Sequence, residues 1–142
     1  MQNYKNHIRF NPLHHFILTP ALIILLIWAI SESISYGKLT FASIFPVLSI
    51  VLILLTSLIA RLYALKNQDR IIRLEMRQRF FELTGKSFKQ KEKQLSLSQI
   101  IALRFASDEE LLALIDRAIN EGLKSKDIKK SIKDWQGDFM RV

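Results

Sequence analysis

The sequence contains no cysteine, and it has only 4 glycines and 3 prolines among its 142 residues. The absence of cysteine excludes a disulfide-stapled scaffold and a thiolate metal site. The scarcity of glycine leaves little material for a phosphate-binding loop, and neither a glycine-rich loop motif nor a nucleophile elbow is present. We therefore expect no enzyme: no catalytic residue, no metal ligand, no cofactor and no small-molecule substrate.

Charge is also scarce, but only in the first part of the chain. Residues 1–60 contain three Lys or Arg and one Asp or Glu, whereas residues 61–142 contain 18 and 12. Apolar residues make up 49% of the whole sequence, and the formal net charge is +8. This segregation of apolar and charged residues excludes both a disordered chain and a simple soluble globule.

Two long runs in the first part contain no acid, lysine or arginine. They are LHHFILTPALIILLIWAIS at 13–31 and LTFASIFPVLSIVLILLTSLIA at 39–60. As helices they extend for about 28 Å and about 33 Å, close to the ~30 Å of a bilayer's hydrocarbon core. We predict two transmembrane helices joined by a short outer turn at 32–38. A cleavable signal sequence with a small-residue site at Ala29-Ile30-Ser31 is the alternative for the first run.

Basic residues set the expected orientation of these helices. Lys5 and Arg9 precede the first run, and Arg61, Lys66 and Arg70 follow the second. By the positive-inside rule, both termini are expected on the cytoplasmic side of the membrane. We expect the three basic residues after the second run to lie at the membrane surface.

Small residues recur along the second run at Ala42, Ser49 and Thr56, with Ala60 one turn further on. In lipid, small residues at such spacings let two helices approach closely. We predict a helix-packing seam here, against the first helix or against a second copy of the chain. The alternative is that the hydroxyls of Ser49 and Thr56 bond to their own helix backbone.

The second helix is expected to continue beyond the apolar run as a stalk over 61–85. No glycine or proline interrupts it before Gly85, which is typical of a residue that ends a helix. The apolar residues that share one face of the stalk, and form its candidate partner-binding surface, are Leu65, Ile72, Met76, Phe80 and Leu83. A second copy of the chain, or its own last helices, is expected to cover this face.

Charged residues of the stalk have the spacing of ion pairs along a helix. Asp69 precedes Arg73 by four positions, and Glu75 precedes Arg79 likewise, so we predict both pairs. If the stalk continues straight, Arg73 and Arg77 lie too far along it for lipid headgroups. They are then expected in solvent or facing an acidic partner, unless the helix bends and lies along the membrane interface.

The rest of the chain is predicted to be a polar linker over 86–97 and a small helical module over 98–142. Ser107 and Glu110 have the spacing of a capping box at a helix start. Ser125 is a second N-cap, at the start of the last helix. The core predicted for the module consists of Leu111, Ile115, Ile119, Ile128, Ile132 and Trp135, with Phe105 or Ile101 covering its open side.

Three stretches together resemble a family of small uncharacterised bacterial membrane proteins, a domain of unknown function. The stretches are QNYKNH at 2–7, QDRIIRLEMR at 68–77 and IALRFASDEEL at 101–111. The resemblance extends over nearly the whole chain. It implies a bacterial membrane protein that crosses the bilayer twice, and it implies no active site.

We therefore expect an all-α fold in the bacterial inner membrane, with lipids and either a second copy or another membrane protein as partners. A membrane-anchored interaction or scaffold protein is the function we favour. An accessory subunit of a transporter or envelope complex is the alternative. A membrane-tethered nucleic-acid-binding module is least favoured, because the lysines of the last helix alternate with acids, as on ordinary solvated helices.

Overall fold

The computed structural model describes Tyr4 and residues 11–38 and 40–138, and over these the fold is all-helical, as predicted. Predictions that fall on Lys5, Arg9 or Leu39 lie outside the described residues. The chain divides into two compact units, one of Arg9–Ala64 and one of Met1–Ile8 with Leu65–Val142. The helices are α1 (Thr19–Ser35), α2 (Phe41–Thr84), α3 (Lys89–Glu92), α4 (Leu97–Leu103), α5 (Asp108–Asn120) and α6 (Ser125–Ser131).

A π-helical segment, Leu13–Leu18, leads directly into α1. Pro20 explains this wider turn, because proline has no N–H to donate and its ring displaces the carbonyl four residues earlier. The backbone N–H of Thr19 donates instead to the carbonyl of His14, five residues back, and the Thr19 hydroxyl donates to the same oxygen at 2.8 Å.

The turn between α1 and α2 lies slightly later than the predicted 32–38, because α1 extends to Ser35. Gly37 takes a φ of 60°, a left-handed conformation that costs glycine little. Ser33 donates a hydrogen bond to the carbonyl of Ser43, and the Ser57 hydroxyl lies 3.3 Å from Nε2 of His14. The order of these two contacts means that α1 and the first part of α2 run antiparallel.

The second unit has one apolar core, to which the later part of α2 contributes one face. α2 ends at Thr84, and Gly85 follows with a φ of 66°, as the glycine predicts. The buried residues of the core are Ile72, Met76, Phe80, Phe88, Leu95, Ile100, Ala102, Leu103, Ala106, Leu111, Leu114, Ile115, Ala118 and Ile128. Helices α3 to α6 therefore close on α2 within the same chain.

The segment 86–97 is not the polar linker that its four lysines suggest. It contains the short helix α3 and buries Phe88, Glu92 and Leu95 in or beside the core. The rings of Phe80 and Phe88 lie 5.1 Å apart. Two apolar side chains among the lysines, Phe88 and Leu95, are sufficient to dock the segment on the core. Two such residues are too few to produce a periodic pattern in the sequence.

The predicted capping box at Ser107 and Glu110 is wrong. Ser107 is the N-cap residue of α5, but its side chain accepts no capping hydrogen bond. The carboxylate of Glu110 instead accepts the backbone N–H groups of Lys133 and Asp134, at 3.1 and 3.2 Å. A complete capping box occurs earlier, where Ser96 and Gln99 bond reciprocally at the start of α4.

The last helix is shorter than predicted, and it does not contain Trp135. α6 ends at Ser131, and the chain bends at Lys133 and Asp134 before Trp135 pairs with Ala106 in an isolated bridge. The indole stacks on Phe105 with the ring centroids 4.7 Å apart. Residues 132–136 thus cover the core as a non-helical strip, held by Glu110 and by the Phe105 carbonyl, which accepts from Gln136 at 2.7 Å.

We predict that Met76→Ala lowers the free energy of unfolding by about 2–5 kcal/mol, because it leaves a cavity in a fully packed core. Leu83→Ala, on the same helix but partly exposed, is the matched control and should cost about 1 kcal/mol or less. Urea unfolding of the full chain in mild detergent, followed by Trp135 fluorescence in a Trp28→Phe background, measures both. Equal losses for the two variants would mean that Met76 is not part of the core.

Candidate interaction surface on α2

A buried carboxylate fastens α3 to α2. Glu92 is only 8% exposed. Its Oε2 accepts from Nε of Arg77 at 2.6 Å, and its Oε1 accepts from Nη2 of Arg77 at 3.0 Å. Nη1 of Arg73 lies 3.4 Å from Oε1. Since the arginine fork meets both oxygens, the pair is bidentate and fixes direction as well as distance.

These contacts shift the acid–base equilibria of both partners. The hydrogen bonds from Arg77, and then the positive charges of Arg77 and Arg73, hold the pKa of Glu92 below its ordinary value, although burial acts in the opposite direction. The same hydrogen bonds and the charge of Glu92 raise the pKa of Arg77. Arg73 and Arg77 therefore meet an acidic partner, as one of the sequence alternatives expected, but that partner belongs to the same chain.

Arg79 fastens a second element to α2. Its Nε lies 2.5 Å from a carboxylate oxygen of Asp108, at the start of α5. Its Nη1 and Nη2 donate to the carbonyls of Arg104 and Ala106 at 3.2 and 2.6 Å. The predicted pair of Arg79 with Glu75 is thus wrong, because the guanidinium binds carbonyls left free at the end of α4.

The predicted partner-binding surface on the stalk is mostly unavailable to a partner. Ile72, Met76 and Phe80 are 2%, 1% and 5% exposed, because helices of the same chain cover them. Leu65 and Leu83, at the two ends of the set, stay partly exposed. We call Ile72, Met76 and Phe80 the covered face of α2.

The predicted packing seam is not buried within the chain. Ala42, Thr56 and Ala60 are exposed, and Ser49 is half-buried. The hydroxyls of Ser49 and Thr56 donate to carbonyls four residues back in α2, both at 2.8 Å, which was the alternative reading. The seam does not pack on the first helix, so packing against a second copy is the part of the prediction that stays open.

A different apolar face of α2, which was not predicted from the sequence, lies open to solvent. Ile71, Leu74 and Phe81 are 53%, 61% and 58% exposed, and the exposed Gln78 lies between the last two. We call these four residues the exposed face of α2. The signal that identifies it is their spacing of three, four and three residues, which places them on one side of a helix.

The basic residues predicted at the membrane surface lie along the same helix. Lys66 and Arg70 are exposed, and Arg61 is half-buried. Among the ion pairs that the described part of the chain forms, none involves these three residues. Their contact with lipid stays a prediction.

A shallow concavity between α4 and α6 is lined by polar side chains, but these already serve the fold. Ser96 and Gln99 form the capping box of α4, and Nε2 of Gln99 also donates to the Leu123 carbonyl at 2.7 Å. Within residues 11–38 and 40–138, no three His, Asp or Glu side chains lie close enough together to hold a metal ion. The exposed face of α2 is therefore the surface with the clearest capacity to bind a partner.

The fold and this surface define an all-helical protein with two long apolar helices and a helical module closed on the second of them. The pattern of a family of unknown function, DUF6526, matches residues 1–142, so the chain belongs to that family. No curated protein and no solved structure matches the chain.

We predict that Glu92→Gln destabilises the protein by about 1–2 kcal/mol near neutral pH, because the neutral amide loses the charged hydrogen bonds while both arginines stay open to water. The folded-state pKa of Glu92 is depressed, so its stabilising contribution is complete above the ordinary value of 4.5 and is lost as the pH falls through the lower, folded-state pKa. The wild type and the variant should therefore converge in acid.

Urea unfolding at a series of pH values tests this expectation. Glu109→Gln, at an exposed position of α5, is the control and should match the wild type at every pH. A Glu92→Gln deficit that persists unchanged in acid would show that the residue acts through packing and not through its charge.

Proposed function

We propose that this chain is a membrane-anchored interaction protein, which holds a closed helical module at the cytoplasmic surface of a membrane. One observation carries the proposal. The helical segments Leu13–Ser35 and Phe41–Thr84 each contain an 18-residue apolar stretch, of which only 11% and 6% is buried within the chain. Leaving that much hydrocarbon in water is unfavourable, and a bilayer removes it from water.

The chain's charges support a single orientation in that membrane. Glu32, near the end of α1, and Lys38, in the turn that follows, make this end of the two helices neutral overall. On the other side, Arg61, Lys66 and Arg70 follow the apolar stretch of α2 within one to three turns. Because basic residues near the ends of spans favour the cytoplasm, the second unit belongs on the cytoplasmic side.

An interaction role is supported by the contrast between the two faces of α2. The covered face completes the core of the module, so the fold does not need the exposed face for its own stability. Yet Ile71, Leu74 and Phe81 place three large apolar side chains in water along one side of the helix. An exposed apolar face of this kind is typical of a binding surface for another protein.

Binding to nucleic acid has less support from the described residues. Arg73, Arg77 and Arg79, three of the cations of the second unit, each engage a carboxylate of the same chain. Phosphate contacts require cations that are free to displace counterions.

A topology experiment tests the proposal. The chain has no native cysteine, so Ser35→Cys and Ser98→Cys each place a single thiol at an exposed position. In intact cells, a membrane-impermeant maleimide should label Ser35→Cys, whereas Ser98→Cys should react only after permeabilisation. The chain should also stay in the membrane pellet after alkaline carbonate extraction. Release into the supernatant, or labelling of the Ser98 site alone, would contradict the proposal.

A further inference from the structure

We infer that two copies of this chain associate side by side and in parallel, through the exposed face of α2. Together with Asn67, the residues of this face follow each other at intervals of four, three, four and three positions, from residue 67 to residue 81. This alternation is the heptad repeat of a coiled coil, in which the first and fourth positions, a and d, meet a second helix. Ile71 and Gln78 occupy a positions, and Leu74 and Phe81 occupy d positions.

The charged residues on either side of this face determine which helix can pair with it. Arg70 and Arg77 fall on g positions, on one side of the face, and Glu75 and Glu82 fall on e positions, on the other side. In a parallel pair of helices, each g residue meets the e residue five positions later in the partner.

Two copies in register would therefore place Arg70 opposite Glu75 of the second copy, and Arg77 opposite Glu82 of the second copy, twice in each dimer. Every charge at the edge of the interface would meet its opposite. The surface is complementary to itself, which is what a two-fold symmetric contact requires.

The same charges oppose an antiparallel pair. In that arrangement g residues meet g residues and e residues meet e residues, so arginine would face arginine and glutamate would face glutamate. Like charges at these positions destabilise a pair of helices. The pattern therefore specifies direction as well as partner.

Of the two pairs between copies, Arg70 with Glu75 and Arg77 with Glu82, only the first involves residues that are not already engaged within the described part of one chain. Arg77 already holds Glu92 through Nε and Nη2, and Gln78 donates to Glu82 at 2.9 Å. Arg70 and Glu75 are both exposed, and neither has an ion-pair partner among the described residues. The pair of Arg70 with Glu75 of the second copy is thus the main electrostatic determinant of the dimer.

The apolar positions also favour two helices over three or four. A β-branched residue at a with leucine at d, here Ile71 with Leu74, is the combination that favours parallel dimers. Gln78 is a polar residue at an a position, and such a residue fixes the register of the two helices at some cost in stability. The two copies therefore align residue for residue.

Two heptads are too short for a stable coiled coil between chains that diffuse freely in water. Here the inference rests on the proposed function, because spans in one membrane hold all copies in the same orientation and raise their effective concentration. A weak but specific contact is sufficient under that confinement.

Disulfide cross-linking of the full chain in membranes tests the dimer. With Leu74→Cys, two d positions face each other across the interface, and mild oxidation should yield a covalent dimer. Ser98→Cys is the control, since it is equally accessible to oxidant but lies on α4. Leu74→Cys should cross-link at least about tenfold faster than the control. A rate no greater than the control would refute the inference and leave the face to a different protein.

Orientation is tested in a mixture of Ile71→Cys and Phe81→Cys chains, which differ in size through a tag. A parallel dimer joins like with like, 71 to 71 and 81 to 81, whereas an antiparallel dimer joins 71 to 81. Predominance of the mixed product would overturn the parallel arrangement.

Charge reversal tests the pairing of Arg70 with Glu75 of the second copy. Arg70→Glu or Glu75→Arg alone should slow the cross-linking of Leu74→Cys by about tenfold at low salt, since two attractions become repulsions. The double variant Arg70→Glu, Glu75→Arg should restore the rate, because the charges match again. Single variants without effect, or a double variant that fails to recover, would refute the assigned pairing.

The membrane fraction is measured on the same samples, so that the two proposals fail separately. A chain that leaves the membrane on carbonate extraction contradicts the membrane anchor, whether or not it cross-links. A chain that stays in the membrane but does not cross-link contradicts only the dimer.

Discussion

Glu92 lies almost out of water against two arginines of α2, and the rest of the second unit depends on that contact. A buried carboxylate is stable only while its charge is matched and its oxygens accept hydrogen bonds. Arg77 and Arg73 meet both needs, and the contact holds α3 on α2 at the place where Phe88 meets Phe80. From there the chain can lay α4 and α5 over the covered face, so that one polar contact orients an apolar core.

This use of the arginines changes how the stalk is to be understood. A row of basic residues after an apolar run suggests lipid headgroups, yet Arg73, Arg77 and Arg79 serve the fold of their own chain. The covered face and these arginines are engaged within the chain. The part of α2 that stays accessible to another molecule is the exposed face, with the charged residues beside it. The same helix thus completes one core and presents the surface for another contact, on opposite sides that lie about half a turn, or 180°, apart.

The elements that depend on local chemistry could be predicted from the sequence. Long uncharged runs predicted the first two helices, and Gly85 predicted the end of α2. Prediction failed where partners are distant in sequence. Glu110 has the spacing of a capping residue, but the strip after α6 supplies it with two backbone N–H groups. Likewise, the helical period of the stalk identified the covered face, but no local pattern indicates which segments pack on it. The four lysines of 86–97 suggested a solvated linker, although this segment contributes to the core.

Hydrogen–deuterium exchange of the full chain in lipid nanodiscs tests most directly the claim that α2 and the helices after it form one core. If they do, the backbone amides of 72–80 and those of 97–118 open together, with the same slow rate. Glu92→Gln should then accelerate exchange in both segments by a similar factor. Slow exchange in 72–80 beside fast exchange throughout 97–118 would contradict the account, since α2 would then be stable without the module that is said to close upon it.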